Sequence, residues 1–411
     1  MIQSAMRRAD FCFLLLTLAL GAAAEETTGP GWVHLSSSKG DLPTPNTGTQ
    51  QTSATVFDID RDGVNDFVIT ERTAAPSVVW YRRTKTGWDR YVMESAALKP
   101  EAGSTFGDVD GDGDLDFIAG NDASGNQVWW WENPHPKFDP AIPWKRRMIK
   151  NSGPNKHHDQ MWADVDGDGK NEMVFWNQGG NRLVLARAPR DPRVNREWPM
   201  TEIYSYSSDS EMEQRAAAPP FKGVNEHEGL AFEDIDSDGK RDIVGGGLWF
   251  KHLGGDRFLA NTIDAGYHFS RAAAGQLVEG GRPEVVLVVG DGIGPLMMYE
   301  WVKGTWRARR ILDAVDNGHS LALADFNRDG RLDIFCAEMR LNSGNADSKI
   351  CLLIGDGKGG FLQTSVATGF DNHESKMADL DGDGTLDVLG KPYNHQTPRL
   401  NIWLNPHGVK R

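Results

Sequence analysis

The chain has 411 residues, 39% of them hydrophobic and 25% charged, and a formal net charge of −14. That length accommodates one large domain or two average ones. The negative charge excludes a nucleic-acid partner, because phosphates need a basic surface, and no stretch is apolar for long enough to span a bilayer.

Arg7 and Arg8 make a basic start, residues 11–20 are apolar, and Ala22, Ala23 and Ala24 supply small side chains. This is the pattern of an export signal cleaved after Ala24. Residues 1–24 are therefore expected to be a signal peptide and 25–411 the mature protein, secreted or periplasmic. The residues after Arg7-Arg8 fit a twin-arginine route poorly, and no Cys at the cleavage point offers a lipid anchor.

Gly31-Trp32-Val33-His34-Leu35 reads as an isolated strand ahead of a loop rich in Ser, Thr, Pro and Gly at 38–50. After it a repeat takes over: Asp-x-Asp-x-Asp-Gly-x-x-Asp, followed by a short β-branched or apolar run. Copies begin at Asp58, Asp108, Asp164, Asp234, Asp325 and Asp379, roughly 40 to 70 residues apart, the spacing of propeller blades. An eroded seventh begins at Gln276 and retains Gly281 and Glu284.

Each copy reads as four short strands. One leads into the acidic loop and one leaves it. A third carries aromatics, as in Val79-Trp80-Tyr81 and Val128-Trp129-Trp130. A fourth starts near Trp88, Trp144, Trp198, Phe258, Trp306 or Phe361. The last copy stops after its third strand, at Trp403-Leu404. The strand at 31–35 is expected to complete it, closing a seven-bladed all-β propeller and removing an exposed sheet edge.

The loops have the donors of a hard cation. Acids at the first, third and fifth places converge as the loop curls, Gly at the sixth permits the turn, and an acid at the ninth completes an oxygen shell. Calcium accepts such a shell more readily than magnesium. The expected ligands are Asp58, Asp60, Asp62 and Asp66; Asp108, Asp110, Asp112 and Asp116; Asp164, Asp166, Asp168 and Glu172; Asp234, Asp236, Asp238 and Asp242; Asp325, Asn327, Asp329 and Asp333; and Asp379, Asp381, Asp383 and Asp387. Up to six structural calcium ions would offset most of the negative charge.

The repeats resemble the FG-GAP, or VCBS-type, repeats of integrin-like propellers. The resemblance implies seven blades, with the calcium loops between first and second strands on one face. It implies little about function, because the fold hosts adhesion modules and enzymes alike.

The starts of the first strands lie on the opposite face, at the mouth of the central channel. Those places hold His157, His158, His227, His268, His319 and His373, whereas the first two blades have Gln51, Thr52 and Glu101 there. Imidazoles converging from separate blades make a site for Zn, Mn or a similar ion, and His158, His227, His268, His319 and His373 are the expected ligands. A single such His is as readily a hydrogen-bonded strand-start residue. His157, Lys391 and Tyr393 are candidate acid/base groups, and Arg72 and Arg340 candidate anion or hydroxyl binders. Trp176 and Trp249 are candidate platforms for a sugar face.

The segments Glu226-His227-Glu228-Gly229-Leu230, Gly318-His319-Ser320-Leu321, His373-Glu374-Ser375-Lys376 and Gly390-Lys391-Pro392-Tyr393 are similar to the propeller part of aldos-2-ulose dehydratases. That similarity implies metal-dependent β-elimination from a keto- or uronate-type sugar by a carbon–oxygen lyase. This chain lacks the further cupin and lectin-like domains of those enzymes. The alternative is a non-catalytic, calcium-dependent propeller that binds glycan or protein. A hydrolase is disfavoured, since no G-x-S-x-G elbow is present. Cys336 and Cys351 form one disulfide or stay as two buried thiols.

Overall fold

The computed structural model describes residues 26–194, 196–207 and 226–405. The expected signal peptide lies outside the described residues. Seven antiparallel sheets follow one another around a channel. Their first strands are Gln51–Phe57, Thr105–Gly107, His157–Ala163, Ala231–Glu233, Ser270–Gly275, Ser320–Ala324 and Lys376–Ala378. Among the described residues the only helices are four single 3-10 turns, and none is long and apolar enough to cross a membrane.

Blade 7 is closed as its sequence requires. Asp387–Gly390 and Asn401–Leu404 supply its second and third strands, and Val33–Ser36 pairs with Asn401–Leu404 from the outside. His34 stacks on Trp403, with centroids 5.0 Å apart and planes 9° apart. Upstream, Thr27–Thr28 adds a short fifth strand to blade 6, and Glu26 forms an ion pair with Arg399 at 2.6 Å. Residues 26–36 thus clasp the last two blades.

The core is divided among the gaps between blades. Trp80 and Trp131 fill the gap between blades 1 and 2, Trp130 and Phe175 the next, and Trp176 and Phe250 the one after. Leu389 and Ile402 of blade 7 meet Ala54 and Phe67 of blade 1, completing the ring. Each sheet is covered on both faces, so its inner strands are continuously apolar rather than alternating. Every residue of Glu284–Val289 is buried. The aromatics of the third strands are needed because a blade wedge widens outward, and large rings fill the wider part of each gap.

Cys336 and Cys351 are both buried and unbonded to each other.

Candidate functional site

The acidic turns share one backbone solution. Gly63, Gly113, Gly169, Gly239, Gly330 and Gly384 hold the sixth place at φ between 81° and 95°, a region open to glycine at little cost. The first-place acid accepts the N–H of that glycine, as in Gly63 N–H to Asp58 Oδ2 at 3.0 Å and Gly384 N–H to Asp379 Oδ2 at 2.7 Å. The ninth-place acid ties the turn to the third strand. Asp66 accepts the N–H of Ile59 at 3.0 Å and that of Arg83 at 2.7 Å, and Asp116, Asp242, Asp333 and Asp387 repeat this pattern. The eroded loop of blade 5 retains the clamp, with Glu284 accepting the N–H of Leu277 at 2.9 Å.

Five turns bring three carboxylate oxygens within 4.8 Å of one another: Asp58, Asp60 and Asp62; Asp108, Asp110 and Asp116; Asp164, Asp166 and Glu172; Asp234, Asp236 and Asp242; Asp379, Asp381 and Asp387. These are clusters of acids that could hold a metal. The grouping departs from the expected set of four. Asp66 of blade 1 and the fifth-place acids Asp112, Asp168, Asp238 and Asp383 lie outside the triads; those four accept a main-chain N–H two residues on, as Asp62 within its triad also does. In blade 6, Asn327 replaces an acid and no such triad forms; its amide donates to Asp329 at 3.1 Å. Burial, reinforced by neighbouring acids, raises Asp116 to about 8 and Asp66, Asp387 and Glu172 to about 7. Concentrated carboxylates of this kind call for a cation. Side chains supply part of it, since Asp110 pairs with Arg193 at 2.8 Å, Asp166 with Arg187 at 2.7 Å, Asp60 with Arg82, and Asp236 with Lys251. Nothing in the repeat pattern announces these basic partners, which come from third strands and from a neighbouring loop.

At the opposite end of the channel, first-strand starts from several blades enclose a cavity of about 250 Å³. His158, His319, His373, Arg72 and Tyr393 line it, and so do Glu101, Lys156, Glu226, Glu228 and Asp291. A β-bulge in blade 3 aims two successive residues inward. The register shifts between His158 and Gln160, and Asp159 takes φ 46°. His158 Nδ1 then lies 3.0 Å from Asp159 and its Nε2 3.2 Å from Glu228. His157 faces the other way, with Nδ1 3.1 Å from the Asn121 carbonyl and its ring against Phe175.

The five expected histidine ligands do not form one set. His319 and His373 stack at 4.4 Å with planes 26° apart, and His373 stacks in turn on Tyr393 at 4.7 Å. Among the described residues, triads of donors within 4.8 Å occur in the acidic turns and not at the mouth. His227 is withdrawn from the cavity, stacked 3.7 Å from Tyr206 and 5.3 Å from Trp176. His268 lies beside it, 3.2 Å from the Ala265 carbonyl. The mouth therefore does not fit a transition ion held by these imidazoles. Three other expectations are corrected by burial. Arg340 is 9% exposed and donates to the carbonyls of Gly344 and Gly369, bracing a loop. Trp176 is fully buried and Trp249 is 4% exposed, so both are core residues rather than sugar platforms.

Electrostatics differentiate the groups that do meet. Burial opposes charge on His158, but Glu228 and Asp159 outweigh it and raise the imidazole to about 9. Burial, with Arg271 and His158 nearby, lowers His319 to about 3. Burial and Lys391 keep His373 neutral as well. Glu228 is raised by burial to about 7, and one of its oxygens is buried without a hydrogen-bond partner. Lys391 is buried behind the ring, donating to the Gln51 carbonyl at 2.9 Å and lying 3.1 Å from His373 Nδ1; burial lowers it to about 7. Arg72 hydrogen-bonds the Tyr393 hydroxyl and pairs with Glu101 at 3.2 Å. Below them Arg271 crosses the channel to Asp159 and to Glu374, the latter at 2.8 Å.

Sequence reasoning missed Glu228, Asp159 and Arg271 as site residues. The histidine pattern drew attention to the neighbours of Glu228, and a bulge residue such as Asp159 has no periodic signature.

The chain carries FG-GAP-like repeats: that family matches residues 108–175 and 281–336. It is 24% identical over 295 residues to "Rhamnogalacturonan exolyase YesX" of Bacillus subtilis (strain 168), an alignment covering 62% of this chain. The chain spans only 43% of that relative's length. Among solved structures, BBS1N, crystallised in complex with ARL6DN, superposes with a TM-score of 0.51 at 9% identity, covering 91% of this chain and 97% of that one. That last likeness is one of fold alone.

Proposed function

We propose that this seven-bladed propeller of FG-GAP-like repeats is a carbohydrate lyase, breaking a carbon–oxygen bond by β-elimination at the channel mouth. The observation that carries this reading is the pair Glu228–His158, two contacting groups in one cavity whose surroundings shift each away from its ordinary pKa. Glu228, near 7, suits a general base, because such a base works best with a pKa close to ambient pH. It takes the proton from the carbon next to the substrate's carbonyl. The imidazolium of His158, held by Asp159 and Glu228, offsets through its charge the negative charge that develops on the enolate oxygen. Tyr393, polarised by Arg72, protonates the departing β-oxygen. Lys391 acts from behind His373 rather than on the substrate.

The charge balance favours an uncharged keto sugar over a uronate. Arg72 and Lys156 are already paired with Glu101 and Glu226, and Glu228 and Asp291 add further acid. The 24% relative, named as a lyase acting on rhamnogalacturonan, supports the reaction class.

The acidic turns on the other face are proposed to hold structural calcium, with the five triads as the strongest sites. The basic, apolar and small-residue order of residues 1–24 supports export.

The test is turnover of a panel of keto sugars and uronate oligosaccharides, followed by ultraviolet absorbance of the unsaturated product. Glu228→Gln should lower kcat by about 10²–10⁴-fold. Binding of a sugar without turnover by the wild type would establish the non-catalytic alternative.

A further inference from the structure

Cys336 and Cys351 take no part in the chemistry above. They sit on the second and third strands of blade 6 in direct register. Both side chains face a cavity of about 590 Å³ between that blade and the bulged outer strand of blade 5. Each residue is at most 4% exposed, yet the cavity opens to solvent through Arg310, Asp313 and Lys349.

We propose that Cys336 and Cys351 form a two-sulfur site for a soft cation, of which Cu(I) is the type. Directly opposed residues on antiparallel strands have Cβ atoms about 4.5–5.5 Å apart. A disulfide prefers about 3.5–4.5 Å, whereas two metal–sulfur bonds of about 2.3 Å each span the wider gap. The harder donors nearby are committed elsewhere. Glu338 accepts the N–H groups of Asp316 and Lys349, both at 2.9 Å, and Asp313 pairs with Arg310 at 3.5 Å. No third His, Cys, Asp or Glu among the described residues joins the thiols to make a tetrahedral zinc or oxygen-rich calcium site. Two sulfurs alone select a soft ion. Gln363, which lines the same cavity, donates its Nε2 hydrogen to Cys351 Sγ at 3.3 Å and orients that sulfur.

The experiment titrates the mature chain, residues 25–411, which carries Cys336 and Cys351 but not Cys12, with Cu(I) alone, anaerobically, against a chromophoric Cu(I) chelator, after thiol counting with a chromogenic disulfide. The expected result is two free thiols and one bound Cu(I), with sulfur-to-copper charge-transfer absorption. Cys336→Ser and Cys351→Ser should each abolish the bound copper while circular dichroism and calcium content stay unchanged. Should either variant misfold, the double Cys336→Ala, Cys351→Ala variant replaces it, leaving no thiol to oxidise or deprotonate. Retention of copper by that variant would overturn the assignment. So would a chain isolated two mass units light with no free thiol, which is the disulfide, or a chain with two free thiols and no competition for copper.

Discussion

Replacing Arg271 by Met probes the charged bolt beneath the candidate site. The Arg271 side chain is 12% exposed and contacts Asp159, Glu374 at 2.8 Å and Glu228 at 4.0 Å. Removing one partner from a buried ion pair typically costs about 3–5 kcal/mol, because the remaining charge stays desolvated. Here each main carboxylate retains a second cation. Asp159 retains His158 at 3.0 Å and Glu374 retains Lys376 at 2.8 Å. The expected loss therefore lies at the lower end, about 3 kcal/mol at neutral pH.

The pH dependence follows from the direction of the shifts. Despite burial, Arg271 holds Asp159 below the usual carboxylate range and Glu374 at about 2. Depressed carboxylates contribute stability that is present above their unfolded pKa and lost as pH falls through the folded value. The wild type thus surrenders this contribution on acidification, while the variant never had it, so the gap is unchanged from pH 7 to about pH 5 and narrows below that towards about pH 2. Urea unfolding followed by tryptophan fluorescence, at fixed calcium, measures both points. A loss under about 1 kcal/mol at pH 7, or an equal loss at both pH values, would refute the account of Arg271 as the neutralising centre of the channel.

Asp116→Ala removes one corner of a carboxylate triad and the backbone clamp of blade 2 together. One fewer calcium per chain by atomic emission is expected, and unchanged stoichiometry would count against that turn as a site. Trp403→Ala empties a fully buried position beneath the closing strand and should cost about 3–5 kcal/mol by the same urea assay. An effect no larger than that of a surface substitution would mean the clasp is not a structural necessity. His268→Ala should leave turnover unchanged while His319→Ala, at the cavity wall, lowers it; equal effects would contradict the separation of the two rings seen in the fold.

Seven blades, their strand order and the closing strand were legible in the chain because they are written in local patterns. An Asp-rich turn needs glycine at one place, a two-faced sheet needs continuous apolar runs, and a blade that ends after Asn401–Leu404 needs an edge partner. Repetition multiplies such signals until chance is excluded. Matched strand starts pointed to one end of the channel but could not say where each side chain points. A one-residue bulge at Asp159 sent His158 inward and left His157 against Phe175, and Tyr206 drew His227 into a stack. The pKa of Glu228 and the bolt of Arg271 arise only when blades 3, 4, 5 and 7 close around one point. Desolvation and charge pairing depend on distances between residues far apart in the chain, and those distances exist only after the ring has shut.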